Sequence, residues 1–221
     1  MDFKVEAIFS LTAGAGALIG WVRIKKTNPA YLPFILLLTA GFITEVISLI
    51  VTTNGYSNAL FYNLFALAEA CLVTHLYYRL GLFRSRKWLL GLQFFFILFW
   101  LCESFYHGNL ISFYSYFLIV YSTILVLLSI HLLHSVVFQT SSRLYRNPVF
   151  LISMGFIIYF TYTILVELFW FYGLNQTPDF RNRIYDVFSY INLFTNILFI
   201  LATLWIPLKR QYILRSSLAV S

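Results

Sequence analysis

Four glutamates, Glu45, Glu69, Glu103 and Glu167, lie inside long apolar stretches of this chain. A charged acid at mid-membrane costs about 2.5–3.5 kcal/mol on insertion scales, so such residues usually face a bundle interior or a water-filled cavity. No Lys or Arg lies deep in any of these stretches to pair with them. Three chemistries stay open: the acids are protonated, they accept hydrogen bonds from polar neighbours, or they bind something that is not protein. Glu45, Glu103 and Glu167 fall in the same half of their segments, and Glu69 falls near the middle. That placement predicts a cavity opening on one side, with Glu69 as a midplane relay.

Helical spacing extends the set, because residues three and four apart share a face. Gly41, Glu45, Ser48 and Thr52 form one stripe, and Tyr159, Thr163 and Glu167 a second. Tyr185, Ser189, Asn192, Asn196 and Thr203 form a third, and Glu103 and His107 sit four apart. Asn63 and Thr74 share a face that Glu69 does not. Interhelical hydrogen bonding is the simpler use of such stripes. Four acids without bases are more than packing requires. The spacing therefore predicts a ligand site built from Glu45, Glu69, Glu103, Glu167, His107, Asn63, Tyr159, Thr163, Ser189, Asn192 and Asn196. Tyr159, Tyr162, Tyr185 and Tyr190 lie beside the acidic stripes, and aromatic faces beside acids suit an organic cation.

Other patterns point less far. Glu103 with His107, and His131 with His134, have spacings that could hold a metal on a helix, but both are short and common. No nucleophile–base set has good spacing, which leans against an enzyme without deciding it, and no cofactor is expected. Cys71 and Cys102 are isolated inside apolar segments and read as buried apolar-type residues. Gly16 and Gly20 form a GxxxG pair suited to close packing inside the bundle. Asn175-Gln176-Thr177 matches a glycosylation sequon that the following Pro178 weakens.

The elements that must position these residues are transmembrane helices. Of 221 residues, 61% are apolar and only 10% charged, too few charges to cover a soluble domain. Crossing the hydrocarbon takes about 20 apolar residues per helix. Seven such spans fit: 5–22, 31–53, 58–78, 88–106, 112–137, 148–172 and 185–206. They predict a single all-α seven-transmembrane bundle over 1–221 with short loops. Span 1 reads as an uncleaved first helix, because its basic cluster Arg23, Lys25 and Lys26 follows the apolar stretch.

Loop charge sets the orientation. One side carries Arg23, Lys25, Lys26, Arg79, Arg84, Arg86, Lys87, Arg143, Arg146, Lys209, Arg210 and Arg215; the other carries Lys4, Arg181 and Arg183. The richly basic side is expected in the cytoplasm, with the amino terminus outside and the carboxyl terminus inside, in a plasma or bacterial inner membrane. The net charge of +7 forms no face or arm, which argues against nucleic acid.

A faint internal repeat is present. Gly41-Phe42-Ile43 recurs as Gly155-Phe156-Ile157, and Asn63-Leu64-Phe65 as Asn192-Leu193-Phe194, with Pro33 and Pro148 ahead of them. Spans 1–3 would match spans 5–7 as a parallel repeat, with span 4 as connector. This three-plus-one-plus-three order resembles the SWEET sugar transporters and the nicotinamide riboside transporters, in topology alone. A rhodopsin-like pigment needs a Schiff-base lysine in span 7, and none lies within 185–206; the Asn-Pro-x-x-Tyr receptor pattern is also absent.

Two functions are expected. The first is binding or transport of a small solute, an organic cation or protons through the outward cavity. The alternative is a seven-helix sensor or receptor that signals through a separate cytoplasmic partner. An intramembrane lipid-modifying enzyme is a weaker third.

Overall fold

Helix ends fall where local chemistry stops or starts them. The computed structural model describes residues 12–83, 85–107, 112–139, 144–172 and 178–208. Among these residues there are seven α-helices: α1 (Ala13–Arg23), α2 (Leu32–Thr53), α3 (Ala59–Arg79), α4 (Arg86–His107), α5 (Ser115–Gln139), α6 (Pro148–Tyr172) and α7 (Pro178–Trp205). Six helical segments, beginning with Pro29–Thr53 and ending with Arg183–Trp205, are long and apolar enough to cross a membrane. The chain is a polytopic membrane protein. The first part of span 1, at 5–11, lies outside the described residues. So do Lys4, Arg84, Arg143, Lys209, Arg210, Arg215 and the sequon at Asn175.

Helices α2 and α3 end alike. Gly55 (φ 80°) and Gly81 (φ 88°) follow their C-caps. Tyr56 N–H donates to Val51 O and Gly55 N–H to Thr52 O; Leu82 N–H donates to Tyr77 O and Gly81 N–H to Tyr78 O. Both are Schellman closures, which need a left-handed residue that glycine supplies without steric cost. Starts are also alike. Asn28 Oδ1 accepts from Ala30 N–H ahead of α2, and Asn147 Oδ1 accepts from Val149 and Phe150 N–H at α6. In both places a proline follows the asparagine, where its missing N–H costs nothing. Helix α7 begins seven residues before the expected span. Its first turns are polar, and hydropathy discards polar turns even when they are helical.

The basic end of the bundle is tied together. Arg23 donates to Thr203 O and Leu204 O at 2.8 and 2.6 Å, so its cation meets the negative C-terminus of α7. Arg79 donates to Pro29 O, and Arg146 sits over the Trp205 ring. These contacts place Arg23, Arg79, Arg146 and the end of α7 on one side.

The helices form a ring. Helix α1 packs on α2 and α7, α2 on α3, α3 on α5, α5 on α6, and α6 on α7. Helix α4 packs against α3 and α5 and exposes Trp88, Leu90, Phe94, Leu98 and Phe105. Glycines set the closest approaches. A methyl on Gly20 would meet Ile35 at 2.9 Å, and one on Gly16 would meet Leu38 at 3.0 Å. The GxxxG pair thus packs α1 onto α2 inside the bundle. Helices α3 and α5 run parallel in register. The Tyr121 hydroxyl bonds Glu69, and eight residues further along each helix the Tyr77 and Ser129 hydroxyls pair.

Candidate functional site

A cavity of about 730 Å³ lies inside the ring. Its wall is mainly apolar and draws on α1, α2, α3, α5, α6 and α7, with no described residue from α4. Its inner limit is aromatic. Phe156 and Phe199 line it with their rings 5.1 Å apart, and Phe34 meets Phe199 edge-on at 5.4 Å from behind. From there the cavity reaches Thr52, Asn58, Trp170 and Tyr185, at the end opposite the basic loops.

Nine of the eleven residues expected in a ligand site line this space: Glu45, Asn63, Glu69, Tyr159, Thr163, Glu167, Ser189, Asn192 and Asn196. Helix α2 contributes Gly41, Glu45, Ser48 and Thr52, the stripe expected from spacing. Helix α3 differs. Its cavity face is Tyr62, Phe65, Ala66 and Glu69, an i, i+3, i+4, i+7 series. Asn63 sits at the edge of that face, and Thr74 is buried elsewhere. A polar-only pattern misses this face because Tyr, Phe and Ala carry most of it.

Tyrosines hold two of the acids. The Tyr62 hydroxyl donates to Glu45 Oε2 at 3.2 Å, and the Tyr121 hydroxyl donates to Glu69 Oε2 at 2.7 Å. A neutral donor orients a carboxylate without cancelling its charge. Glu69 is buried, at 5% exposure. Tyr159, on α6, lies within electrostatic range of both Glu45 and Glu69. Glu167 lies beside the Ser115 hydroxyl at the start of α5. Across the same end, Trp170 Nε1 donates to the Tyr185 hydroxyl at 2.8 Å. On α7, Ser189 bonds back to Tyr185 O and Asn196 Nδ2 donates to Thr12 Oγ1. Thr195 also lines the space, and its buried hydroxyl has no hydrogen-bond partner among the described residues. Among the described residues, none that lines the cavity is Lys, Arg or His.

Glu103 does different work. It belongs to α4 and is absent from the cavity wall. Its Oε1 and Oε2 accept from Tyr116 N–H at 3.1 Å and Phe117 N–H at 2.6 Å. Those are N–H groups of the first turn of α5, which have no partner within their own helix. A carboxylate there satisfies them and meets the positive end of the helix dipole. Glu103 lies within electrostatic range of Glu167, so it borders the site without lining it. Replacing Glu103 by Ala should lower stability by about 1–2 kcal/mol, and by Gln roughly half as much. Thermal unfolding of the two variants checks this, and wild-type stability for Glu103→Ala would remove the capping role. The His107 side chain lies outside the described residues. His131 and His134 are exposed on α5. Among the described residues, no three His, Cys, Asp or Glu side chains converge as metal ligands would.

No protein-family profile, curated protein or solved structure matches the chain.

Proposed function

We propose that this membrane protein takes a small solute into the cavity from the side opposite its basic loops and passes it across the bilayer. The observation that carries the proposal is a cavity of about 730 Å³ whose wall is mainly apolar and, among the described residues, holds three glutamates and no basic residue. Known ligand pockets span about 300–1,000 Å³ and pair an apolar wall with a few placed polar groups. Packing alone would not keep three acids on one apolar void, given what each costs in lipid.

The loop charges support an amino terminus outside and a carboxyl terminus in the cytoplasm. Solute would then enter from outside. Two three-helix units, α1–α3 and α5–α7, support passage. Exchanging the two units, α1 with α5, α2 with α6 and α3 with α7, turns α1·α2 into α5·α6, α2·α3 into α6·α7 and α3·α5 into α7·α1, all of which are observed contacts. Asn28-Pro29 and Asn147-Pro148 start the middle helices of the two units in the same way. Asn63 reaches Ser112 ahead of α5, and Asn196 reaches Thr12 ahead of α1. Related units around a central site can rock against one another.

Purified protein in liposomes tests the proposal. Uptake of radiolabelled small solutes, and proton entry followed with a trapped pH-sensitive dye, should exceed protein-free liposomes by at least tenfold. Both should fall to background in Glu45→Gln with Glu167→Gln. Cysteines placed at Ser57 and Ser85 should react from outside and inside, respectively, with an impermeant maleimide. Absent flux together with solute-dependent stabilisation would instead favour the sensor that signals through a separate partner.

A further inference from the structure

We infer that Glu69 is a proton-binding site in the wall of the cavity, and that its proton crosses the membrane with the solute; this rests on the cavity being the solute site. Glu69 stands at the middle of α3, and its side chain lines the cavity yet is only 5% exposed. Its carboxyl has one hydrogen-bond partner among the described residues, the Tyr121 hydroxyl, which donates to Oε2 at 2.7 Å. A phenol is a neutral donor and keeps its own proton near neutral pH. Oε1 is left to take a proton.

Burial decides what the carboxyl carries. An ionised acid in apolar surroundings, without a cation or several donors, is costly enough that it neutralises instead. A site that serves the two faces of a membrane in turn passes through a form closed to water on both. In that form Glu69 has one neutral donor, and a bound proton removes the cost of its charge. In the open form water reaches the carboxyl and the proton exchanges. The cavity has room for water. Thr195 offers that water a second polar group, a buried hydroxyl without a partner among the described residues. The transfer balances simply. A proton leaves bulk water on the side opposite the basic loops, rests on Oε1, and returns to bulk water on the basic side, with no other bond changed.

The surrounding groups single out Glu69. Tyr121 faces it from α5, and Tyr159 lies within electrostatic range on α6. Glu45 of α2 and Tyr62 of α3 lie within range of the same Tyr159. Glu167 and Tyr185 line the cavity towards its other end, and the described residues of α1 and α4 bring no titratable group to the wall. The phenols hold their protons near neutral pH. Glu45 and Glu167 are only half-buried, so water can share their charge. Glu69 is the buried acid of the wall, and its charge is the one that closure must remove.

Infrared difference spectroscopy of the full chain in nanodiscs tests proton binding without any solute. An acid-to-alkaline titration should show a protonated-carboxyl band that persists where exposed acids are already ionised. The band should shift in heavy water, disappear in Glu69→Gln and remain in Glu103→Gln, which removes an acid outside the cavity. Proton entry into liposomes, driven by an inside-negative potential and read with a trapped dye, should fall at least tenfold in Glu69→Gln. Melting curves establish that the variants are folded. If Glu69→Gln is not, Tyr121→Phe serves: it removes only the hydroxyl on Oε2 and should move the band, and an unmoved band overturns the assignment. The assignment also falls if the wild type lacks the band, if Glu69→Gln leaves it unchanged, or if Glu69→Gln admits protons at the wild-type rate; each outcome leaves a solute cavity in place. Solute uptake by the wild type without proton entry does the same. Absence of both uptake and proton entry would take the solute reading with it.

Discussion

Replacing Gly155 by Leu should lower solute binding by at least tenfold and cost about 3 kcal/mol of stability, near the top of the range for overpacked cores. A methyl group built on Gly155 would lie 2.5 Å from Phe199 Cε1 and 3.2 Å from Cδ1 and Cζ. The Phe199 ring has little room to retreat on its packed side, where Phe34 and Phe156 meet it at 5.4 and 5.1 Å. The remaining space beside it is the cavity, which Phe199 itself lines. A larger residue at 155 therefore separates α6 from α7 or drives the ring into the solute's volume. The first outcome lowers the melting temperature and the second lowers binding. Both follow from one contact, so the double variant Gly155→Leu with Phe199→Ala should recover much of the lost binding and stability. Neighbouring residues that share a contact couple in this way. Melting curves in nanodiscs and solute uptake in liposomes, for the single and double variants, would decide it. Gly155→Leu with wild-type binding and wild-type stability would show that the aromatic layer is not a rigid floor.

The helical elements were largely visible in the residues. Long apolar runs and basic loops mark five spans, from 31–53 to 148–172, within a few residues, because bilayer thickness sets helix length. The exception is α7, where Asp179, Arg181 and Arg183 hide two helical turns from any hydropathy argument. Glu45, Glu167 and Ser189 could be placed on shared faces because α2, α6 and α7 carry polar residues at helical spacing. Helix α3 could not be read that way. Its cavity face consists of Tyr62, Phe65, Ala66 and Glu69, and only Glu69 stands out by polarity. Tyr121 was likewise hidden. It lies in an apolar span, and only the register of α5 against α3 brings its hydroxyl to Glu69.

Which acids share the cavity was beyond spacing altogether. Glu103 and Glu167 look alike as intramembrane acids at similar depth. What separates them is that α4 packs outside the ring, where Glu103 meets the first turn of α5. Hydropathy carries no information on which of several apolar helices is peripheral. One signal was legible and passed over. The dipeptide Asn-Pro at 28–29 and at 147–148 opens matching sequences, Asn-Pro-Ala-Tyr-Leu and Asn-Pro-Val-Phe-Leu. It caps the same helix start in each half, and it is a longer match than the Gly-Phe-Ile and Asn-Leu-Phe triplets.

Asn63 should prove one of the costliest polar residues to replace. Three elements converge on it: Trp100 Nε1 of α4 donates to its backbone oxygen at 2.9 Å, while its side chain serves the chain ahead of α5. There, Asn63 Nδ2 donates to Ser112 O at 2.7 Å, and Oδ1 accepts from Tyr114 N–H at 3.1 Å. Asn63 is only 2% exposed, so water cannot replace these bonds. Leucine is close to asparagine in size and removes both side-chain bonds. A net hydrogen bond is worth about 1 kcal/mol, and stranding a buried backbone group costs about 1–3 kcal/mol. Asn63→Leu should therefore destabilise the bundle by roughly 3–5 kcal/mol. Asn63→Asp keeps an acceptor for Tyr114 N–H but sets an oxygen against Ser112 O, so it should fall no more than partway back to wild type. Glu103 caps two further N–H groups of the same helix start, those of Tyr116 and Phe117. Asn63→Leu and Glu103→Ala should consequently be non-additive, with the double variant losing less than the sum. Denaturant unfolding in detergent micelles measures all four chains. A loss under about 0.5 kcal/mol for Asn63→Leu, the range of an ordinary surface substitution, would mean that the α3–α5 junction is held by packing instead. In that case the register that brings Tyr121 to Glu69 would have another origin.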